Sequence, residues 1–247
     1  MILTHFGRRL SDALLTLAYP QACVICGCSV EERAFGVACE ACWTRAPVFD
    51  GTEMLCWRCG APAPGEVLEQ FREQVRCHRC DFQSFTAARA VGLYKGALRE
   101  AVLHLKRQPH VSLHLEMLLA TTASRRPLNE CTRIIPVPLH PKRQKGRGFN
   151  QASVLAHALS RRLQLPLDEV SLVRVSVSEK YRAGLDVKGR RDTVAGAFHV
   201  SHPRLVAGEN ILLIDDVFTT GATVSACAEA LIAAGAGDVF ALTVARA

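Results

Sequence analysis

Aromatic residues are scarce, 6% of the 247 positions, so few side chains are available as stacking platforms for bases. No stretch approaches the roughly 18–20 consecutive apolar residues that a membrane span requires. Segments that are both polar and charge-rich are also few, which excludes a mainly disordered chain. There is no low-complexity segment. No Cys/His nucleophile or metal–water constellation is present, so hydrolase readings fall away. Near the N-terminus Arg8 and Arg9 precede the apolar residues 13–18, yet no small-x-small cleavage site follows, which argues against a secretory signal. Phe6, Leu10, Leu14 and Leu17 fall at helical spacing, and residues 1–19 are expected to form a short amphipathic helix. The expected location is cytoplasmic, with cysteines reduced or metal-bound.

What the chain does have is a large apolar fraction, 49%, and enough length to bury a sizeable core without a disulfide framework. Thirty Lys and Arg stand against 23 Asp and Glu, a net charge of +7 that favours anionic partners such as phosphate esters or nucleic acid. Eleven cysteines are too many for chance. Eight of them form four CxxC pairs: Cys23/Cys26, Cys39/Cys42, Cys56/Cys59 and Cys77/Cys80. Twelve residues separate the first two pairs and seventeen the last two. A CxxC turn aims two thiolates at one metal, and a second such turn completes a tetrahedron. Gly27 and Gly60 adjoin two of the turns and supply backbone freedom. Two structural Zn²⁺ ions are therefore expected within a double zinc-ribbon domain over residues 20–82. Sequential closure gives short loops that fold as the metal binds, although cross-bracing is also compatible with the spacing. Cys28 and His78 lie beside the ligands and are surplus to two four-cysteine sets.

From residue 87 to 247 cysteine nearly vanishes and strand and helix patterns alternate. Strands are expected over 88–94, 133–137, 210–214 and 238–245, and helices after residue 97 and over 111–124, 151–163 and 222–234. That alternation indicates an α/β domain with a parallel sheet, in which ligands sit beyond the carboxyl ends of the strands. One strand end carries Ile211-Leu212-Leu213-Ile214-Asp215-Asp216-Val217-Phe218-Thr219-Thr220-Gly221-Ala222-Thr223. The aliphatic run predicts a buried strand with two carboxylates emerging at its end. The following loop offers backbone N–H groups, three hydroxyls and a helix N-terminus, a set suited to a phosphate monoester. The adjacent acids can accept hydrogen bonds from sugar hydroxyls, so the combination implies a sugar phosphate. A second strand end leads through Pro136-Val137-Pro138-Leu139-His140 into Lys142, Arg143, Lys145 and Arg147, then Gly148-Phe149-Asn150-Gln151. Four cations in a loop directly after a strand fit the binding of a pyrophosphate.

The 211–223 segment resembles the phosphoribosyl pyrophosphate (PRPP) motif of type I phosphoribosyltransferases. The Pro-Val-Pro-Leu-His and Arg-Gly-Phe-Asn-Gln segments resemble hallmarks of the ComF/GntX family, whose members join an N-terminal zinc domain to a phosphoribosyltransferase domain. The resemblance covers nearly the whole chain. It implies a type I phosphoribosyltransferase-like parallel sheet in which Asp215 and Asp216 contact the ribose and act in catalysis. It also implies that Thr219, Thr220, Gly221, Ala222 and Thr223 enclose the 5′-phosphate. Mg²⁺ would accompany PRPP, held largely by ligand oxygens. One segment departs from the family. Where members carry a Gln ahead of a Leu and an Asn after an Arg pair, this chain has Arg182 ahead of Leu185 and Thr193 after Arg190-Arg191. The implied role is DNA uptake in natural transformation, with contact to single-stranded DNA and to other uptake proteins. The alternatives are a housekeeping phosphoribosyltransferase acting on a base or amine, and a PRPP-sensing regulator without catalysis. Lys180, Arg182, Lys188, Arg190 and Arg191 offer a nucleic-acid-facing surface away from the PRPP motif, and Trp43 and Trp57 are either stacking platforms or shields for the zinc cores.

Overall fold

The computed structural model describes residues 21–175 and 196–247. The expected amphipathic helix over 1–19 lies outside them, as do Lys180, Arg182, Lys188, Arg190, Arg191 and Thr193.

Four strands build the central sheet: β1 (Ala87–Leu93), β2 (Arg133–Pro136), β5 (Ile211–Phe218) and β6 (Val239–Arg246). Their order is β1-β6-β5-β2 and every pairing is parallel. Such a sheet must be covered on both faces, which explains the near-continuous apolar runs of its strands. Leu212 and Ile214 of β5 join Phe240, Leu242 and Val244 of β6 in the core on one face. Ile211 and Leu213 join Val239 and Ala241 on the other. Helices α2 (Gly96–Leu105), α3 (Leu113–Ala123) and α5 (Gln151–Leu163) bring Leu98, Val102, Leu119, Leu155 and Leu159 to the first face. Helix α6 (Ala222–Ala233) covers the second with Val224, Cys227 and Leu231. Local signals start these helices where the pattern changes. Asn150 caps α5 by accepting a hydrogen bond from the Ala152 N–H, and Ser112 caps α3 through Leu115.

The cysteine-rich segment lies against both faces of the same sheet. Cys23, Cys39, Cys42 and Trp43 are part of the first core, with the short helix α1 (Glu40–Thr44). Cys56, Cys59 and Cys80 are part of the second. Backbone fixes this second contact, since Ala88 N–H donates to the Arg58 carbonyl at 2.6 Å. Gly60, at φ +68°, leaves no room for a side chain because a Cβ would meet the Ala88 oxygen at 2.6 Å.

Three features differ from the sequence expectation. The strand carrying the acids does not stop at Ile214 but runs to Phe218, because β6 is long enough to pair Asp215 with Thr243, Val217 with Ala245 and Phe218 with Arg246. The cationic segment is not a loop. It is helix α4 (Pro141–Arg147), started by proline at its first turn and by His140 accepting from the Lys142 N–H, and ended at Gly148 in the left-handed conformation. The pairing of β3 (Leu172–Arg174) with β4 (Phe198–Val200) was not expected, since three-residue strands are too short to show a period.

Candidate functional site

Asp215 and Asp216 occupy the last half of β5, in the middle of the sheet. Neighbouring positions on a strand point to opposite faces, which gives the two carboxylates different surroundings. Asp216 is 7% exposed. Its Oδ2 lies 3.1 Å from Lys106 Nζ, just past the end of α2, and 3.5 Å from Nε2 of Gln151 at the start of α5. Asp215 Oδ1 accepts a hydrogen bond from the Asp216 backbone N–H at 2.8 Å. Burial, and then the negative charge of Asp216, push the Asp215 carboxyl up to about 8. Lys106 balances that charge.

The strand then turns through Thr219 and Thr220, both exposed, into α6. Gly221 makes the turn at φ +79°, where a Cβ would lie 2.7 Å from Phe218 Cζ and 3.0 Å from Gln83 Oε1. Glycine is therefore required both by the backbone and by space. The Ala222 N–H, the first of α6, donates to the Thr220 hydroxyl at 3.4 Å, and this helix N-terminus directly after the exposed Thr219 and Thr220 is suited to phosphate. The cysteine-rich module braces this turn. Gln83 donates to the Thr220 carbonyl at 3.1 Å, and Ser84 N–H donates to Ser225 Oγ at 2.9 Å. Arg246 stacks over the Phe218 ring at 4.7 Å and donates to the Cys59 carbonyl at 2.6 Å. A cavity of about 480 Å³ opens here, lined in part by Arg79, Gln83, Thr219, Thr220 and Arg246.

Helix α4 flanks the acids from the other side. Lys142, Arg143 and Lys145 are exposed, while Arg147 is half-buried and donates to Gln151 Oε1. Gln151 in turn donates to Asp216, so Arg147, Gln151, Asp216 and Lys106 form one connected row across the strand end. Lys106 did not stand out in the sequence, and Gln151 did so only as the end of the Arg-Gly-Phe-Asn-Gln segment, with no role assigned to it. Lys106 follows an amphipathic helix where a lysine is unremarkable, and Gln151 reads as the first residue of the next.

The eight CxxC cysteines gather into two groups, Cys23/Cys26/Cys39/Cys42 and Cys56/Cys59/Cys77/Cys80, so closure is sequential. Within a group all Sγ atoms lie within 4.8 Å of one another, and the measured separations Cys26–Cys39, Cys56–Cys80 and Cys59–Cys77 are 3.6, 3.6 and 3.5 Å. A tetrahedron with Zn–S bonds of about 2.3 Å has edges of about 3.8 Å, so these sets fit zinc. They are far too wide for disulfides, which need about 2.0 Å. Burial opposes ionisation in both groups; backbone N–H donors outweigh it at Cys23 and Cys56, lowering those thiols to about 6 and about 7, while burial and neighbouring thiols push Cys42 and Cys80 up. Cys28 and His78 stay outside both groups; Cys28 is exposed, and His78 faces Asp81 at 3.9 Å. Trp43 is 4% exposed and donates to the Phe35 carbonyl, which makes it part of the core rather than a stacking platform, and Trp57 is half-buried with Arg89 over its ring at 5.0 Å.

Residues 14–81 match the double zinc ribbon domain and residues 150–247 the phosphoribosyl transferase domain. The molecule is thus a double zinc ribbon joined to a phosphoribosyltransferase domain. It is 32% identical over 231 residues to the DNA utilization protein YhgH of Escherichia coli O157:H7, spanning 90% of this chain and 96% of that one. It is 36% identical over 115 residues to competence protein F of Haemophilus influenzae, covering 46% of this chain and 50% of that one. Competence protein ComFC of Bacillus subtilis is 26% identical over 211 residues, 84% of this chain and 83% of its own. The chain belongs to this ComF family of competence and DNA-utilization proteins.

Proposed function

We propose that the protein binds PRPP at the end of β5 and serves in DNA uptake or utilization, as its relatives' names indicate for them. The observation that carries the PRPP reading is the placement of two adjacent carboxylates directly before a glycine turn into a helix N-terminus, at the middle of a parallel sheet. Asp215 and Asp216 would accept hydrogen bonds from the ribose hydroxyls. Thr219, Thr220, Gly221, Ala222 and Thr223 would cradle the 5′-phosphate through hydroxyls and backbone N–H groups. Lys142, Arg143, Lys145 and Arg147 would face the pyrophosphate from α4. Mg²⁺ bound to pyrophosphate and ribose oxygens would neutralise part of the ligand's charge. During transfer, the C1–O bond to pyrophosphate breaks with its electron pair on the leaving group, while an acceptor lone pair forms the new bond to C1. The fixed carboxylates would then stabilise the electron-poor ribose.

The zinc-ribbon domain would be structural, because four-thiolate closure leaves no open coordination position. Contact with single-stranded DNA is the second half of the proposal, and the net charge of +7 supports it. The test is incubation of the zinc-loaded full chain with labelled PRPP, Mg²⁺ and a panel of bases, amines and single-stranded DNA, scored by pyrophosphate release. Acceptor-dependent release supports transfer. Binding without release in any combination assigns the site to PRPP sensing instead.

A further inference from the structure

Lys106 Nζ lies 3.1 Å from Asp216 Oδ2; the lysine side chain is 34% exposed and the carboxylate 11%, so a solvent-reaching ammonium balances a largely buried acid. The pair spans the acid on which the sugar-phosphate reading turns. Lys106 forms no other ion pair among the described residues.

We propose that Lys106 is a further ligand-binding residue, which holds Asp216 in the free protein and moves onto the anomeric pyrophosphate when a ribose hydroxyl takes its place. The proposal deepens the sugar-phosphate reading and rests on it. In PRPP the carbon bearing the 2-hydroxyl is bonded to the carbon bearing the pyrophosphate, so a carboxylate that receives that hydroxyl lies beside the pyrophosphate. A cation 3.1 Å from the same carboxylate oxygen is then within a side-chain swing of the anionic group. Lysine suits the exchange, being a compact point charge on a flexible stem rather than a rigid fork. Gln151, itself held by Arg147, donates to the same Oδ2, so the acid keeps a partner when the lysine leaves. Lys106 and the cations of α4 would grip the pyrophosphate from two sides of the acid pair.

The experiment compares calorimetric affinities of the zinc-loaded full chain for PRPP and for ribose 5-phosphate, both with Mg²⁺, in wild type, Lys106→Met, Lys106→Gln and Lys106→Arg. Ribose 5-phosphate retains the hydroxyls and 5′-phosphate but lacks the pyrophosphate. Loss of one hydrogen bond to a charged group predicts that Lys106→Met and Lys106→Gln bind PRPP about tenfold more weakly or worse. Ribose 5-phosphate should change less than about threefold, because it loses no such bond and is relieved of displacing the lysine. Lys106→Arg should recover most of the PRPP affinity. Equal losses for both ligands, or unchanged PRPP affinity in folded Lys106 variants, would overturn the proposal and leave the sugar-phosphate site standing. Wild type binding neither ligand would overturn the sugar-phosphate reading itself, and the Lys106 proposal with it.

Discussion

Replacing Gly221 by alanine tests the phosphate turn at its tightest point. Two costs are legible. The residue has φ +79°, and an L-residue in the left-handed region loses roughly 1–2 kcal/mol. The new Cβ would also stand 2.7 Å from Phe218 Cζ, and that ring cannot move aside freely. It is 4% exposed, packs edge-on against Phe85 at 5.9 Å and 84°, and lies under the Arg246 guanidinium. Forced overpacking of this kind costs about 1–3 kcal/mol. Gly221→Ala should therefore destabilise the chain by about 2–5 kcal/mol in urea unfolding and, by shifting Thr219 and Thr220, weaken PRPP binding. Gly208→Ala is the matched control. That residue has φ +76° with nothing within 4 Å of a Cβ, so only the backbone cost of about 1–2 kcal/mol applies. Equal stability losses in the two variants, or full PRPP affinity in Gly221→Ala, would refute the packing argument.

Asp215→Asn should change the pH dependence of stability. The wild-type carboxyl is pushed up to about 8 from 3.8, chiefly by burial, so the fold favours its protonated form. That contribution is complete below pH 3.8 and is lost as pH rises through about 8. The asparagine variant should therefore gain on wild type over that window, by at most about 1.4 kcal/mol per pH unit. Parallel stability profiles at pH 5 and pH 8 would contradict this. Cys56→Ser removes a fully buried ligand and should lower bound zinc from two ions to one per chain by elemental analysis. Because the same ribbon braces the Thr220 carbonyl through Gln83, loss of its metal should also weaken PRPP binding. Retention of two zinc ions would remove Cys56 from the ligand set.

Much of this architecture was legible in the sequence because its signals are local. CxxC spacing gives the metal groups, the Ile211–Ile214 run gives a buried strand, and the apolar periodicity over 151–163 gives a helix. What escaped depends on partners distant in the chain. Asp215 and Asp216 lie within the strand rather than beyond it because β6 supplies a ladder to Phe218. The cations after His140 form a helix because proline and the histidine cap outweigh two glycines. Lys106 meets Asp216 across 110 positions, a contact no local pattern encodes. The attachment of the two zinc groups to opposite faces of one sheet is likewise visible only in three dimensions.

The central claim is that Asp215 and Asp216 with the Thr219–Thr223 turn form a PRPP site. Calorimetric titration of the zinc-loaded full chain with PRPP and Mg²⁺ tests it most directly, alongside the double variant Asp215→Asn, Asp216→Asn. Saturable one-to-one binding by wild type, reduced at least tenfold in a double variant that remains folded, is the predicted result, since hydrogen bonds to charged groups contribute about 1.5–3 kcal/mol each. No heat of binding to wild type, or equal affinity in the folded double variant, would contradict it.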